Sequence, residues 1–141
     1  MKTHEKITIK VETNVTALVE KVWNFWTQPN HITCWNFASD DWHCPWAKNN
    51  ARNGEKFVWR MEAKDGSFGF DFEGKYNSVE KNKLIEYTIG DGRRVKIVFT
   101  ENVDQTQITE IFEAETQNPV EMQKTGWQTI LNNFKKYVEN S

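Results

Sequence analysis

Four residues within a short stretch of this 141-residue chain carry side chains of the kind that hold metals or act as nucleophiles: His31, Cys34, His43 and Cys44. Structural zinc takes four ligands, typically in pairs about two to four residues apart, so that a tetrahedron can close. His31 and Cys34 have that spacing. His43 and Cys44 are adjacent and would reach one ion only from a strained backbone, so the grouping predicts no metal site. In a reducing compartment the two thiols are expected free and not bridged. A histidine next to a cysteine in sequence is not the geometry that activates a thiolate.

Glu110 is the more informative group. Ile108, Glu110 and Phe112 alternate with the period of a strand and so share one face. If that face is apolar, desolvation raises the carboxyl pKa unless a cation or hydroxyl compensates. A shielded carboxyl of this kind can donate a hydrogen bond to a ligand carbonyl or serve as a weak general acid. The competing expectation is an edge carboxylate that reaches solvent or pairs with Arg60, Arg93 or Arg94, because buried glutamate is rare unless paired. Asp71 and Glu73, interleaved with phenylalanines, are expected to face outward, and Asp40-Asp41 to be a solvated loop.

The third group is aromatic. Seven Trp, nine Phe and three Tyr make 13% of the chain, although its mean hydropathy is only −0.76. Phe57, Trp59, Phe68, Phe70, Phe72, Phe99 and Phe112 occupy inward-alternating positions, opposite Trp127 and Phe134. Taken singly each is most simply core, since aromatic side chains carry the largest apolar area. Trp35, Phe37, Trp42 and Trp46 crowd one loop and suit a rim or lid, where an indole tolerates one wet edge. Gly126, just before Trp127, is expected to thin its helix where something approaches.

These residues need elements to position them. Lys6 to Glu12 alternate, with Ile7, Ile9 and Val11 on one face, as in a half-buried strand. Val19, Val22, Trp23 and Trp26 recur at helical spacing, with Thr16 as the expected N-cap and Glu20 in the first turn. Pro29 suits the first position of a second short helix that runs to about Trp35. The segment from Asn36 to Asn53 has no period and reads as a long loop. A meander follows: Phe57, Trp59 and Met61, a turn at Lys64-Asp65-Gly66-Ser67, Phe68 to Gly74, Lys75 to Val79, Leu84 to Ile89, a turn at Gly90-Asp91-Gly92, Val95 to Phe99, a turn at Asp104-Gln105, and Ile108 to Phe112. Asn118-Pro119-Val120-Glu121 then predicts an N-cap, a proline at N1 and a carboxylate at N3. The helix it opens runs roughly from Pro119 to Val138, with Trp127, Ile130, Leu131, Phe134, Tyr137 and Val138 as its apolar stripe and Asn132, Asn133, Lys135, Lys136 and Glu139 toward water.

The net charge of −2 and isoelectric point near 5.9 lack the electrostatic footprint of a nucleic-acid or anionic-membrane binder. Met1 to Ile7 is polar, without an apolar signal core, and no apolar run is long enough for a bilayer, which points to a cytoplasmic protein. No Ser/His/Asp set, phosphate-binding loop or dinucleotide glycine motif is present, so no cofactor is expected. Residues 1–141 read as one domain.

Glu20-Lys-Val-Trp-Asn-Phe-Trp-Thr-Gln-Pro, followed by His31 and Trp35, resembles the first two helices of the SRPBCC, or START-like, superfamily. Asp65-Gly66, Gly74-Lys-Tyr-Asn-Ser-Val and Gly126-Trp127 resemble its branch related to the C-terminal domain of the activator of the 90-kDa heat-shock protein ATPase. The resemblance implies an α+β helix-grip fold, a curved antiparallel sheet wrapped around a long C-terminal helix. It also implies a cavity between the two, used in relatives for lipids, polyketides and other apolar molecules. The expected function is binding of a small, mainly apolar molecule by Phe57, Trp59, Phe68, Phe70, Phe99, Phe112 and Trp127, with Glu110 and the loop indoles fixing orientation and Trp35, Phe37, Trp42 and Trp46 at the cavity or its rim. The alternatives are a co-chaperone-like interaction module and a polyketide cyclase- or aromatase-like enzyme, the latter favoured less because no catalytic motif carries over.

Overall fold

The computed structural model describes residues 7–141. Its order is β1 (Thr8–Val15), α1 (Val19–Thr27), α2 (Pro29–Trp35), β2 (Trp42–His43), β3 (Ala47–Lys48), β4 (Lys56–Ala63), β5 (Gly69–Glu80), β6 (Leu84–Ile89), β7 (Arg94–Asn102), β8 (Gln105–Glu113) and α3 (Val120–Glu139). The strands form one antiparallel sheet in the order β1-β8-β7-β6-β5-β4-β2, with β3 also on β4. The sheet curls around α3, as the helix-grip expectation required.

The curl has local causes. Register slips between Tyr76 and Ser78 in β5, a bulge that bends and twists the strand. Two residues earlier, a Cβ on Gly74 would stand 2.5 Å from the Thr88 carbonyl oxygen and 2.7 Å from the Phe57 ring. Only glycine lets the strands close up there. What the sequence suggests as two short strands, ending at Gly74 and starting at Lys75, is therefore one strand of 12 residues.

Several boundaries differ from expectation for reasons that lie in the packing. The first strand starts at Thr8 and runs on to Val15, and Lys6 lies outside the described residues. Thr16 is not the cap of α1, which begins at Val19 with Leu18 in the cap position. Instead the Thr16 amide donates to Glu139 Oε2 at 2.8 Å, tying the β1–α1 corner to the last turn of α3. Asn118 does not cap α3 either, since Pro119 occupies that position without a side-chain bond. Gln123 takes over the entry: its Nε2 donates to the Glu115 and Asn118 carbonyls at 3.1 and 2.8 Å, and its Oε1 accepts from the Glu115 amide at 2.9 Å. The segment from Asn36 to Asn53 is not all loop, because β2 and β3 pair with the outer edge of β4.

The opposite edge is β1, and α3 lies along it. Gln128 Nε2 donates to the Glu12 carbonyl at 3.2 Å and Lys135 Nζ to the Asn14 carbonyl at 2.5 Å. These bonds occupy edge carbonyls that would otherwise invite another strand. Asn133, read as water-facing, donates to the Phe37 carbonyl at 2.6 Å and fastens the end of α2 to α3. No helix among the described residues is long and apolar enough to cross a membrane.

Candidate functional site

α3 does not fill the concave face. A cavity of about 210 Å³ remains between sheet and helix. Trp26 of α1 and Trp35 of α2 border it at one end, Trp59 and Met61 of β4 with Phe70 and Phe72 of β5 on one side, and Trp127 and Ile130 of α3 above. Its polar lining is limited to Asn36, Tyr87 and Glu110. The volume is below the roughly 300 to 1,000 Å³ of sites for drug-sized molecules and above the void of about 150 Å³ that takes benzene. It suits one ring with a short substituent.

Glu110 reaches this cavity because β8 alternates as the sequence indicates, and it is 4% exposed. In register it faces Val11 of β1 and Ile97 of β7, both apolar. The cations that might have paired with it are engaged elsewhere: Arg60 contacts Glu62 at 2.8 Å and Asp71 at 3.1 Å, Arg93 contacts Asp91 at 2.8 Å, and Arg94 lies on the exposed side of β7. The Glu110 carboxyl makes no hydrogen bond to any described residue, and burial pushes its pKa up to about 8. The Tyr87 hydroxyl is likewise without a hydrogen bond, and burial first, then the neighbouring Glu110 charge, pushes its pKa well above the ordinary tyrosine value. Asn36 turns its amide nitrogen toward the Met61 sulfur, 3.8 Å away, which leaves its carbonyl oxygen free.

The aromatic residues divide by place. Trp35, Trp59, Phe70 and Trp127 line the cavity. Trp35 is not a rim residue: it is fully covered, edge-on to Phe134 at 4.9 Å, with its indole N–H donating to the Phe25 carbonyl at 3.0 Å. Phe57, Phe99 and Phe112 face inward but are core, not lining. Phe57 is wedged between Trp59 and Tyr87, Phe99 lies under Trp23 and Trp26, and Phe112 is covered by Trp127. Phe37 is half-buried against α3 through its backbone, and Trp46 is exposed beside Lys48. Phe68 does not point inward at all: at 62% exposure it precedes β5 and meets Trp42 and Phe70 in an open cluster, with centroids about 6 Å apart. Phe70 belongs both to this cluster and to the lining, so it stands at the mouth.

Trp26, Asn36, Met61, Phe72, Tyr87 and Ile130 complete the lining. Phe72, Met61 and Ile130 share a face with residues the alternation already places inward. Tyr87 follows the same alternation in β6, a signal that could have found it. Asn36 carries no such signal, since it is placed by the end of α2.

A residue from the supposed loop holds one wall. Asn49 donates to the Thr27 carbonyl at 2.7 Å and accepts from Trp59 Nε1 at 3.2 Å and from the Tyr76 hydroxyl. It thereby joins the end of α1 to β4 and β5 and sets the plane of Trp59, which lies parallel to Phe72 at 5.5 Å.

The four sulfur and imidazole groups do not gather at one point, although His31 and Cys34 both meet the Tyr137 hydroxyl. No group of three His, Cys, Asp or Glu side chains that could share a metal occurs among the described residues. His31 bonds the Tyr137 hydroxyl at 2.7 Å and stacks on Phe25 at 3.9 Å, while Cys34 is exposed on α2. Cys44 is buried, and desolvation raises its pKa to about 11 against a smaller opposing effect of Asn36. Its thiol stays protonated near neutrality and is a poor nucleophile. Nothing among the described residues approaches Gly126 closely, since a Cβ there meets no atom within 4 Å.

The family model described as "Activator of Hsp90 ATPase homolog 1-like protein" matches residues 16–139. Among solved structures, the chain is similar to an AHSA1-like protein from Aeromonas hydrophila, with 40% identity over 95% of this chain and 93% of that one and a TM-score of 0.89. It is also similar to a protein from Cytophaga hutchinsonii, with 54% identity over 94% of this chain and 92% of that one and a TM-score of 0.83. A protein from Chromobacterium violaceum at 20% identity shares the fold, with a TM-score of 0.84 over 94% of this chain and 96% of that one. No curated protein matches the chain.

Proposed function

Since the chain belongs to the family of activator of Hsp90 ATPase homolog 1-like proteins, whose helix-grip architecture it has, we propose that it binds a small, mainly apolar molecule between sheet and α3. The observation that carries this reading is the cavity of about 210 Å³ with almost entirely aromatic and aliphatic walls and a buried carboxyl in its lining. Apolar side chains that line a cavity without filling it leave surface whose removal from water by an occupant is favourable. Apolar contact supplies the affinity, at about 25 cal/mol per Å² removed from water, and Glu110 with Asn36 orients the polar end.

Titration of the full chain with toluene tests the reading. The expected result is a saturable change in tryptophan fluorescence at one equivalent and a raised melting temperature, as mass action requires. Ile130→Trp, which fills the cavity from the helix side, should abolish both effects while the protein still unfolds cooperatively. Absence of binding by toluene, or unchanged binding in the filled variant, would overturn it.

One observation favours a second reading. Trp42, Phe68 and Phe70 form an open aromatic cluster at the β4–β5 end, and a cluster of this kind suits an interaction module such as the family's description suggests. Phe68→Ser separates the two, because it should disturb a surface interaction and leave toluene binding intact. A cyclase-like reaction has less support: Glu110 and Tyr87 are both shifted toward their protonated forms, so neither is a base at neutral pH.

A further inference from the structure

The lining holds unpaired oxygens and no fixed cation, and once Glu110 ionises the Tyr87 hydroxyl is the one donor left among them. Glu110 offers two carboxyl oxygens, Asn36 offers its carbonyl oxygen because the amide nitrogen is turned to Met61, and the Tyr87 hydroxyl can accept as well. All three residues are more than nine-tenths buried, and none of these oxygens has a hydrogen-bond partner among the described residues. A buried carboxyl is ordinarily matched by a cation or by several donors. Here the flanking strands present Val11 and Ile97, the helix presents Trp127 and Ile130, and β4 and β5 present aromatic rings and the Met61 thioether. Tyr87 is the other titratable group in the lining, and Arg93, which acts on Tyr87, is paired to Asp91. The missing partner of Glu110 is therefore not in the wall.

The walls also suit a positive charge. Aromatic faces attract cations through their quadrupole, more strongly when water is excluded. An anionic ligand would find no positive group in the lining and would face the Glu110 carboxyl. Resting on the reading of the cavity as a binding site, we propose that the polar end of its occupant is a cationic nitrogen. The site then takes a small arylalkyl- or alkylammonium ion whose charge pairs with Glu110, whose N–H groups meet the Asn36 and Tyr87 oxygens, and whose carbon body lies against the tryptophans.

The pairing has a proton signature. Free Glu110, pushed up to about 8, is mostly protonated at pH 7, and an ammonium ion that pairs with its ionised form expels that proton. The experiment is isothermal titration of the full-length protein with 2-phenylethylamine and with its neutral isostere 2-phenylethanol, in two buffers of different ionisation enthalpy. The expected result is at least tenfold tighter binding of the amine, release of close to one proton per amine at pH 7, and an affinity that rises about tenfold per pH unit toward pH 8 before levelling. Glu110→Gln should erase the preference, the proton release and the pH dependence, while the protein still unfolds cooperatively. If 2-phenylethanol binds the wild type as tightly as the amine, or Glu110→Gln keeps the amine preference, the cationic assignment falls and the apolar site stands. If toluene binds and neither polar probe does, the assignment falls likewise. If none of the three binds, both readings fall together.

Discussion

Trp127 lies flat on Phe112, with ring centroids 3.9 Å apart and planes 13° from parallel. The stack locks the middle of α3 onto β8, two residues along the strand from Glu110, and leaves the indole free to border the cavity. One aromatic pair thus both holds the helix to the sheet and shapes the site.

Trp127→Ala should cost about 3–5 kcal/mol, the range for removing a large aromatic from a packed position, and should enlarge the cavity at its roof. Urea unfolding measures the cost. Trp127→Phe keeps a ring over Phe112 and should lose less than half as much. A loss below about 1 kcal/mol for the alanine variant, the size of an ordinary surface effect, would show that the stack does not fasten the helix.

Gly126 precedes this residue inside α3, and a side chain there enters open space. Gly126→Ala should therefore raise stability by about 0.5–1 kcal/mol, because alanine loses less backbone entropy on entering a helix. The same denaturation assay reads it. A destabilised variant would mean that the helix needs a close contact at this point.

The pH dependence of stability follows from Glu110. Its pKa rises from 4.5 in the unfolded chain to about 8 in the folded one, so as pH increases the unfolded chain ionises first. This group's contribution to stability is full below pH 4.5, declines through the interval up to about pH 8, and changes no further above it. The slope is roughly 1.4 kcal/mol per pH unit, which makes a loss on the order of 3 kcal/mol by pH 7. Glu110→Gln should flatten the profile and be the more stable protein at pH 7. Parallel pH profiles for the two proteins would place the carboxyl in contact with water.

Asn49 gives a test of the wall. Asn49→Ala leaves the Trp59 N–H, the Tyr76 hydroxyl and the Thr27 carbonyl without their partner. Each buried group so orphaned costs about 1–3 kcal/mol. The variant should be destabilised by at least one such increment, and toluene binding should weaken with it as Trp59 loses its fixed orientation. Stability and binding equal to wild type would show that the Trp59 wall is held by its ring contacts alone.

The amino-acid sequence by itself determined the order and nature of the main elements, because these follow from periodicity read over a few neighbours. Period two marks β4 to β8, period 3.6 marks α1 and α3, and Pro29 marks the start of α2. It also put Glu110 on the face it shares with Ile108 and Phe112, but left open whether that carboxyl turned to the interior, to solvent or to an arginine. Tertiary structure alone decided the caps, the short strands and the membership of the cavity. Thr16 and Asn118 look like caps locally, but Glu139 and Gln123, distant along the chain or the next turn on, take those amides and carbonyls. β2 and β3 have two residues each, too few for any period, and exist because the edge of β4 offers them partners. Inward alternation treats Phe57, Trp59, Phe99 and Phe112 alike. Only Trp59 reaches the cavity, because α1 covers Phe99, Trp127 covers Phe112, and Trp59 and Tyr87 enclose Phe57. Alternation reports which side of a strand a residue takes, whereas a cavity is the space left where curved sheet and helix diverge, and that depends on every element at once.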